Sequence, residues 1–114
     1  MEIKFVIMPV FKERWNEMGF GDAELLNLQA DLLIGLPSAK PLRGTGKLYK
    51  RRFILHQKKS KRSSKILTHI LYVNYVVSEN IYLIYVYPKK EDYILSNRER
   101  NGIKELIERI EHRL

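Results

Sequence analysis

Ile66-Leu67-Thr68-His69-Ile70-Leu71-Tyr72-Val73-Asn74-Tyr75-Val76-Val77-Ser78-Glu79-Asn80-Ile81-Tyr82-Leu83-Ile84-Tyr85-Val86-Tyr87 is the stretch on which the fold turns. It is apolar enough, and long enough, to be weighed as a membrane span. Ser78-Glu79-Asn80 breaks it at the centre, and His69 and Asn74 put further polar groups inside it. Charged and amide groups are costly at mid-bilayer, and a turn cannot sit exposed to lipid. Val, Ile and Tyr dominate the composition and favour a pleated, half-buried surface. The stretch therefore reads as two antiparallel strands, Lys65 to Val77 and Ile81 to Tyr87, joined through Ser78-Glu79-Asn80.

Working outward, Leu48 to His56 reads as a strand, and Gln57 to Ser64 as a polar, cationic loop between it and the hairpin. Ile3 to Val10 reads as a first strand, ended where Pro9 removes a ladder donor. Phe11 and Trp15 are spaced four apart, on one face of a short helical turn over Phe11 to Met18. Gly19 and Gly21 break that turn, and Asp22 is placed to cap the next helix. That helix runs from about Ala23 to Ile34 on a stripe of Leu25, Leu28, Leu32 and Leu33, until Gly35 and Pro37 stop it. A final helix starts at Ser96 with Glu99 completing a capping box. Its apolar face is Ile103, Leu106, Ile107, Ile110 and Leu114. The order β-α-α-β-β-β-α implies an α+β fold: a small antiparallel sheet with N-terminal helices and a C-terminal helix packed on one face.

With 114 residues, one core and one domain over 1–114 are expected. A hydrophobic share of 45% argues against disorder. The absence of cysteine excludes disulfides, thiolate nucleophiles and cysteine-ligated metal, and suits a reducing cytoplasm. At the N-terminus, Glu2 and a short apolar run do not make a signal peptide. A cytoplasmic chain with no membrane partner is expected.

Charge is segregated along the chain. Residues 32–78 contain no Asp or Glu but carry eleven of the 21 Lys and Arg; the remainder has ten basic residues against 13 acidic. Such a window repels itself unless it faces a polyanion, and for a small globular chain nucleic acid is the expected one. Within it, Gly44-Thr45-Gly46-Lys47-Leu48-Tyr49-Lys50-Arg51-Arg52 is a glycine turn leading into a basic strand. The turn lacks the spacing of a phosphate-binding P-loop and leads to a strand rather than a helix.

Four pieces in order resemble the RelE/HigB-type toxins of the RelE/ParE toxin–antitoxin superfamily. They are the Leu25-Leu26-Asn27-Leu28-Gln29 helix with Leu32-Leu33 and Pro37; Gly44-Thr45-Gly46 followed by Leu48, Lys50 and Arg52; the basic run Lys58-Lys59-Ser60-Lys61-Arg62; and Ile81 to Tyr87 followed by Lys89 and Glu91. The likeness spans roughly residues 23–110. Departures are Lys47 where the family has a glycine, Tyr49 where it has an arginine, Ser63-Ser64 for a glycine pair, and Lys90 for an asparagine. Lys65-Ile66-Leu67-Thr68-His69 replaces an Arg-x-Ile-Tyr-Tyr opening, and Ile94-Leu95 an Asp-Leu pair.

The resemblance implies a RelE/ParE-like fold and a toxin that cuts messenger RNA on the ribosome and inhibits translation. It also implies a cognate antitoxin carrying a DNA-binding domain, whose acidic segments cover the basic face or whose helix docks on the sheet edge. Cleavage by the 2′-hydroxyl needs a proton acceptor, a proton donor and cations to hold the extra charge on phosphorus. Lys and Arg can supply the last, so neither metal nor cofactor is expected. Lys50 and Arg52 alternate along a strand and share a face for the scissile phosphate. On the family's pattern Lys65 stands for the next-strand arginine, His69 near a tyrosine pair as acid or base, and Tyr87 and Lys89 close the opposite side. Lys47, Lys58, Lys59, Lys61 and Arg62 are assigned to flanking RNA phosphates.

Bland readings stand beside these. A histidine in an apolar run is more often a satisfied core residue, tyrosine is common in strands, and a lysine run is at minimum a solvated face. The alternatives to a ribonuclease are a non-enzymatic or degenerate member of the fold that only binds nucleic acid, or a ParE-like gyrase inhibitor.

Overall fold

Four strands and three helices make up the computed structural model, which describes residues 3–35, 48–59, 62–75, 79–89 and 95–113. The elements are β1 (Lys4–Ile7), α1 (Pro9–Glu17), α2 (Asp22–Gly35), β2 (Leu48–Lys59), β3 (Arg62–Tyr75), β4 (Asn80–Pro88) and α3 (Asn97–His112). The fold is α+β. The sheet runs β1-β4-β3-β2, with both β2–β3 and β3–β4 antiparallel.

Two features differ from the expected architecture. First, β1 joins β4 in parallel, Lys4 opposite Asn80 and Ile7 opposite Leu83, so the sheet is mixed. β1 is the first strand and has no hairpin partner in sequence, so nothing local fixed its direction. Second, the helices cover both faces. α1 and α2 bury Phe11, Trp15, Leu25 and Leu28 against Ile70, Tyr72 and Leu83. On the opposite face α3 buries Ile103 and Ile110 against Leu71, Val73 and Ile84. Both faces of the central strands β3 and β4 are thus apolar over much of their length, which explains their near-continuous hydrophobic sequence.

Local signals moved several boundaries. Pro9 does not end β1 but opens α1, where its missing N–H would be unpaired anyway. The Met8 N–H instead donates to the Leu83 carbonyl at 3.1 Å. Phe11 and Trp15 stack with ring centroids 5.6 Å apart, as their spacing predicts. Gly19 follows α1 with a positive φ, in the left-handed region that glycine tolerates. The cap of α2 is made by Gly21 rather than Asp22. The Gly21 N–H donates to Glu24 Oε2 at 3.0 Å, while Asp22 pairs with Lys12 at 3.1 Å.

Residues expected as a cationic loop, Gln57 to Ser64, are largely strand: β2 continues to Lys59 and β3 starts at Arg62. The register pairs Gln57 with Ser64, Lys58 with Ser63 and Lys59 with Arg62. Polar side chains suggested a loop, but backbone pairing does not depend on them. Pro37, Gly44 to Lys47, Ser60, Lys61, Val76 to Ser78, Lys90, Glu91, Ile94 and Leu114 lie outside the described residues. Among the described residues, no helix is long and apolar enough to cross a membrane.

One irregularity positions the site. Register shifts between Leu71 and Tyr72, so that Leu71 faces Tyr85 while Tyr72 faces Leu83, leaving Ile84 as an extra residue in β4. A bulge of this kind turns every later side chain to the other face. Ile81 and Leu83 lie toward α2, but Ile84, Tyr85 and Tyr87 all lie on the α3 side.

Candidate nucleic-acid site

The α3 side of the sheet is covered by that helix only in part. Beyond it, cross-strand pairing sets Arg52 opposite His69 and His69 opposite Tyr87, one rung across three strands. The next rung on the same face, two residues along, pairs Lys50 with Leu71 and Leu71 with Tyr85. Directly opposed residues have Cβ atoms about 4.5–5.5 Å apart. Lys50, Arg52, His69 and Tyr87 are therefore gathered by strand register alone. Lys89 follows β4, its N–H donating to the Leu67 carbonyl at 2.8 Å, and joins the cationic surround of His69.

His69 is the centre of the arrangement. Its ring stacks on Tyr87 with centroids 5.0 Å apart and planes 8° from parallel. It is only 7% exposed. Burial, then the charges of Lys50, Arg52 and Lys89, push its pKa below the ordinary histidine value, which favours the neutral imidazole. Its buried Nδ1 has no hydrogen-bond partner among the described residues. Leaving such an atom unsatisfied costs about 1–3 kcal/mol. A packing role alone would be better served by Leu or Phe.

Lys50, Arg52 and Lys89 are exposed, and Tyr87 is half-buried. Arg51, between the first two, points to the other face. Its Nε donates to Asp31 Oδ2 at 2.9 Å and its Nη2 to Oδ1 at 3.3 Å, tying β2 to α2. Its charge is thus neutralised within the protein, and the basic face is built from the alternate residues.

Lys65 is not brought to this cluster. It is exposed on β3, four residues along the strand from His69. At the usual strand rise that separation is roughly 13 Å. Lys58, Lys59 and Arg62 stand farther along the β2–β3 ladder. Lys47 and Lys61 lie outside the described residues.

Contacts that the sequence reading did not anticipate hold β4 in place. The Arg14 Nε of α1 donates to the Val86 carbonyl at 2.7 Å, where β1 no longer pairs. The same guanidinium lies 4.3 Å from the centroid of Tyr85. The Tyr85 hydroxyl donates to Glu99 Oε2 of α3. Arg14 and Glu99 thus fix the strand just past the bulge that presents Tyr87. Nothing in spacing announces a partner 72 residues away.

Among the described residues the cations of this face are exposed. Depressions of about 470 and 320 Å³ lie along α3, and none of Lys50, Arg52, His69, Tyr87 or Lys89 lines either. An open cationic surface suits a polymer rather than a small molecule, which favours an enclosing cleft. Among the described residues no group of three or more His, Asp or Glu side chains is placed to hold a metal ion. No protein-family profile matches the chain, and no curated protein matches it.

Proposed function

We propose that this face binds RNA and cleaves it by attack of a 2′-hydroxyl on the adjacent phosphorus. The observation that carries the reading is the rung that sets His69 between Arg52 and Tyr87, with Lys50, Arg52 and Lys89 as its cationic neighbours. A neutral imidazole accepts a proton at pH 7, and cations hold the charge that develops on phosphorus. The 2′ proton passes to the imidazole as the 2′ oxygen bonds to phosphorus. The bond to the 5′ oxygen breaks, and the Lys89 ammonium protonates the leaving oxygen. Lys50 and Arg52 hold the non-bridging oxygens, Arg52 in fork geometry. Tyr87 keeps the imidazole plane fixed. The products carry a 2′,3′-cyclic phosphate and a 5′-hydroxyl.

The resemblance of Gly44-Thr45-Gly46, Leu48, Lys50 and Arg52 to RelE/HigB-type toxins supports messenger RNA on the ribosome as substrate. The protein is then the toxin of a pair, held in check by an antitoxin. Inducible expression with primer extension on an abundant messenger tests this. Growth arrest and new 5′ ends inside translated codons are expected from wild type. Both should vanish in the Lys50→Ala/Arg52→Ala double variant. Normal growth of cells with ample folded wild-type protein and intact messengers would sink the reading in favour of a binding module.

A further inference from the structure

β2 and β3 outrun the rest of the sheet. β3 meets β4 only from Thr68, opposite Pro88, with one more bond from Lys89 to Leu67. β2 and β3 continue pairing from Ile54↔Leu67 to Lys59↔Arg62. Among the described residues no third strand accompanies this part, so it is a two-stranded antiparallel ribbon. Its last described rung, Lys59 with Arg62, is seven residues from the Arg52–His69 rung. At the antiparallel strand rise that is roughly 24 Å.

The ribbon's composition changes along its length. Ile54, Leu55, Ile66 and Leu67 are next to the sheet; beyond them come His56, Gln57, Lys58 and Lys59 on one strand and Arg62, Ser63, Ser64 and Lys65 on the other. An isolated two-stranded ribbon is marginal in water, and like charges directly opposite weaken it further. Lys59 is paired with Arg62 in the register, and no carboxylate lies in either strand. A polyanion offsets that repulsion. Neither strand of the ribbon contains Phe, Tyr or Trp, and His56 is its one ring, so it lacks a row of aromatics on which successive unpaired bases stack. Cations without stacking aromatics fit the backbone and shape of a duplex, which presents phosphates and hides base faces.

We propose that the outer β2–β3 ribbon grips the phosphate backbone of a base-paired RNA segment. The unpaired segment next to that stem lies at the His69 rung. The substrate is therefore a folded RNA whose stem ends within roughly 24 Å of the scissile nucleotide. This placement and the choice of RNA rest on the reading of the His69 face as an RNA site; the ribbon's grip on a duplex phosphate backbone does not.

The test uses the full chain and fluorescence anisotropy with three probes: an unpaired RNA oligonucleotide, an RNA stem–loop flanked by that same oligonucleotide, and its DNA-stem counterpart. In Lys58→Gln/Lys59→Gln/Arg62→Gln, the RNA stem–loop should bind about 100-fold more weakly at 0.1 M salt, and the log–log salt slope should fall by about 2–3. The unpaired oligonucleotide should change by less than about threefold. Equal loss on both RNA probes, or none on the stem–loop, overturns the proposal; equal binding of the DNA stem overturns its RNA assignment. As the chain has no cysteine, Ser63→Cys adds a single thiol for disulfide trapping, independent of how the triple variant folds. Trapping on a thiol-tethered stem is expected, and trapping only on the unpaired oligonucleotide overturns the proposal. Stem binding without any cleavage leaves the ribbon's role standing and removes the ribonuclease reading instead.

Discussion

His69 and Tyr87 stack across one rung of the sheet, 5.0 Å apart and 8° from parallel, only because β4 carries an extra residue at Ile84. Without the bulge, Tyr85 and Tyr87 would face α2 and the imidazole would lose its neighbour. His69→Ala should lower single-turnover RNA cleavage by about 10²–10⁴, the usual worth of a general base. Tyr87→Phe keeps the stacking and should retain most activity, whereas Tyr87→Ala should lose about tenfold or more through disorder of the imidazole. Full activity in His69→Ala would exclude it as the base.

Acidity should separate the site from an ordinary histidine. The His69 pKa is lowered by burial and by Lys50, Arg52 and Lys89, so the base form persists below pH 6.5. The acid limb of kcat/KM should therefore fall at lower pH than a free imidazole's. Lys89→Gln removes one of these cations and should move that limb toward higher pH. A limb at or above pH 6.5 in wild type would contradict the assignment.

The same group links stability to pH. Its pKa is lower folded than unfolded, so the unfolded chain binds more protons between the two values. Stability should fall as pH drops from about 6.5 toward the folded value and then level off, as far as this group is concerned. Thermal melts at pH 7.5 and 5.0 should show a larger loss in wild type than in His69→Phe. An equal loss in both would show that His69 is not the group responsible.

Adjacent arginines on β2 should behave oppositely. Arg52→Ala should weaken RNA binding and its salt dependence, because Arg52 is exposed on the His69 face. Arg51→Ala breaks the partly exposed pair with Asp31. It should leave RNA binding within about twofold but destabilise the fold by about 1 kcal/mol, an upper figure for such a pair. That corresponds to a Tm about 4 °C lower. Asp31→Ala should reproduce the stability loss. RNA titration and melting of both variants distinguish the roles.

Glu99 does two jobs at the start of α3. Its Oε1 accepts from the Ser96 N–H at 3.1 Å, closing the capping box, and its Oε2 accepts from Tyr85. Ser96→Ala should cost about 1 kcal/mol. Glu99→Ala should cost about 2 kcal/mol, since a part-buried phenol loses its partner as well. Denaturant melts of the two variants check the order.

Much of this was legible from residue types. Strand alternation placed Lys50 and Arg52 together and set Arg51 apart, and Ser96 with Glu99 announced the start of α3. What escaped was non-local. The direction of β1 depends on β4, far along the chain, and Arg14 meets Val86 only once both are folded. The Ile84 bulge left a trace, the uneven spacing of Tyr82, Tyr85 and Tyr87, but strict alternation cannot say which side the later pair takes. The length of the β2–β3 ribbon was hidden because Lys, Ser and Gln carry no apolar alternation from which a strand could be read.

The most direct test of RNA cleavage at His69 uses purified wild type and His69→Ala on a messenger positioned on ribosomes. The messenger is either all-ribose or carries a single 2′-deoxy nucleotide at the cut position. Wild type should cut the ribose substrate, leave a 2′,3′-cyclic phosphate and spare the 2′-deoxy one, and His69→Ala should cut neither at a comparable rate. Cleavage of the 2′-deoxy substrate, or unchanged cleavage by His69→Ala, would contradict 2′-hydroxyl attack assisted by this histidine.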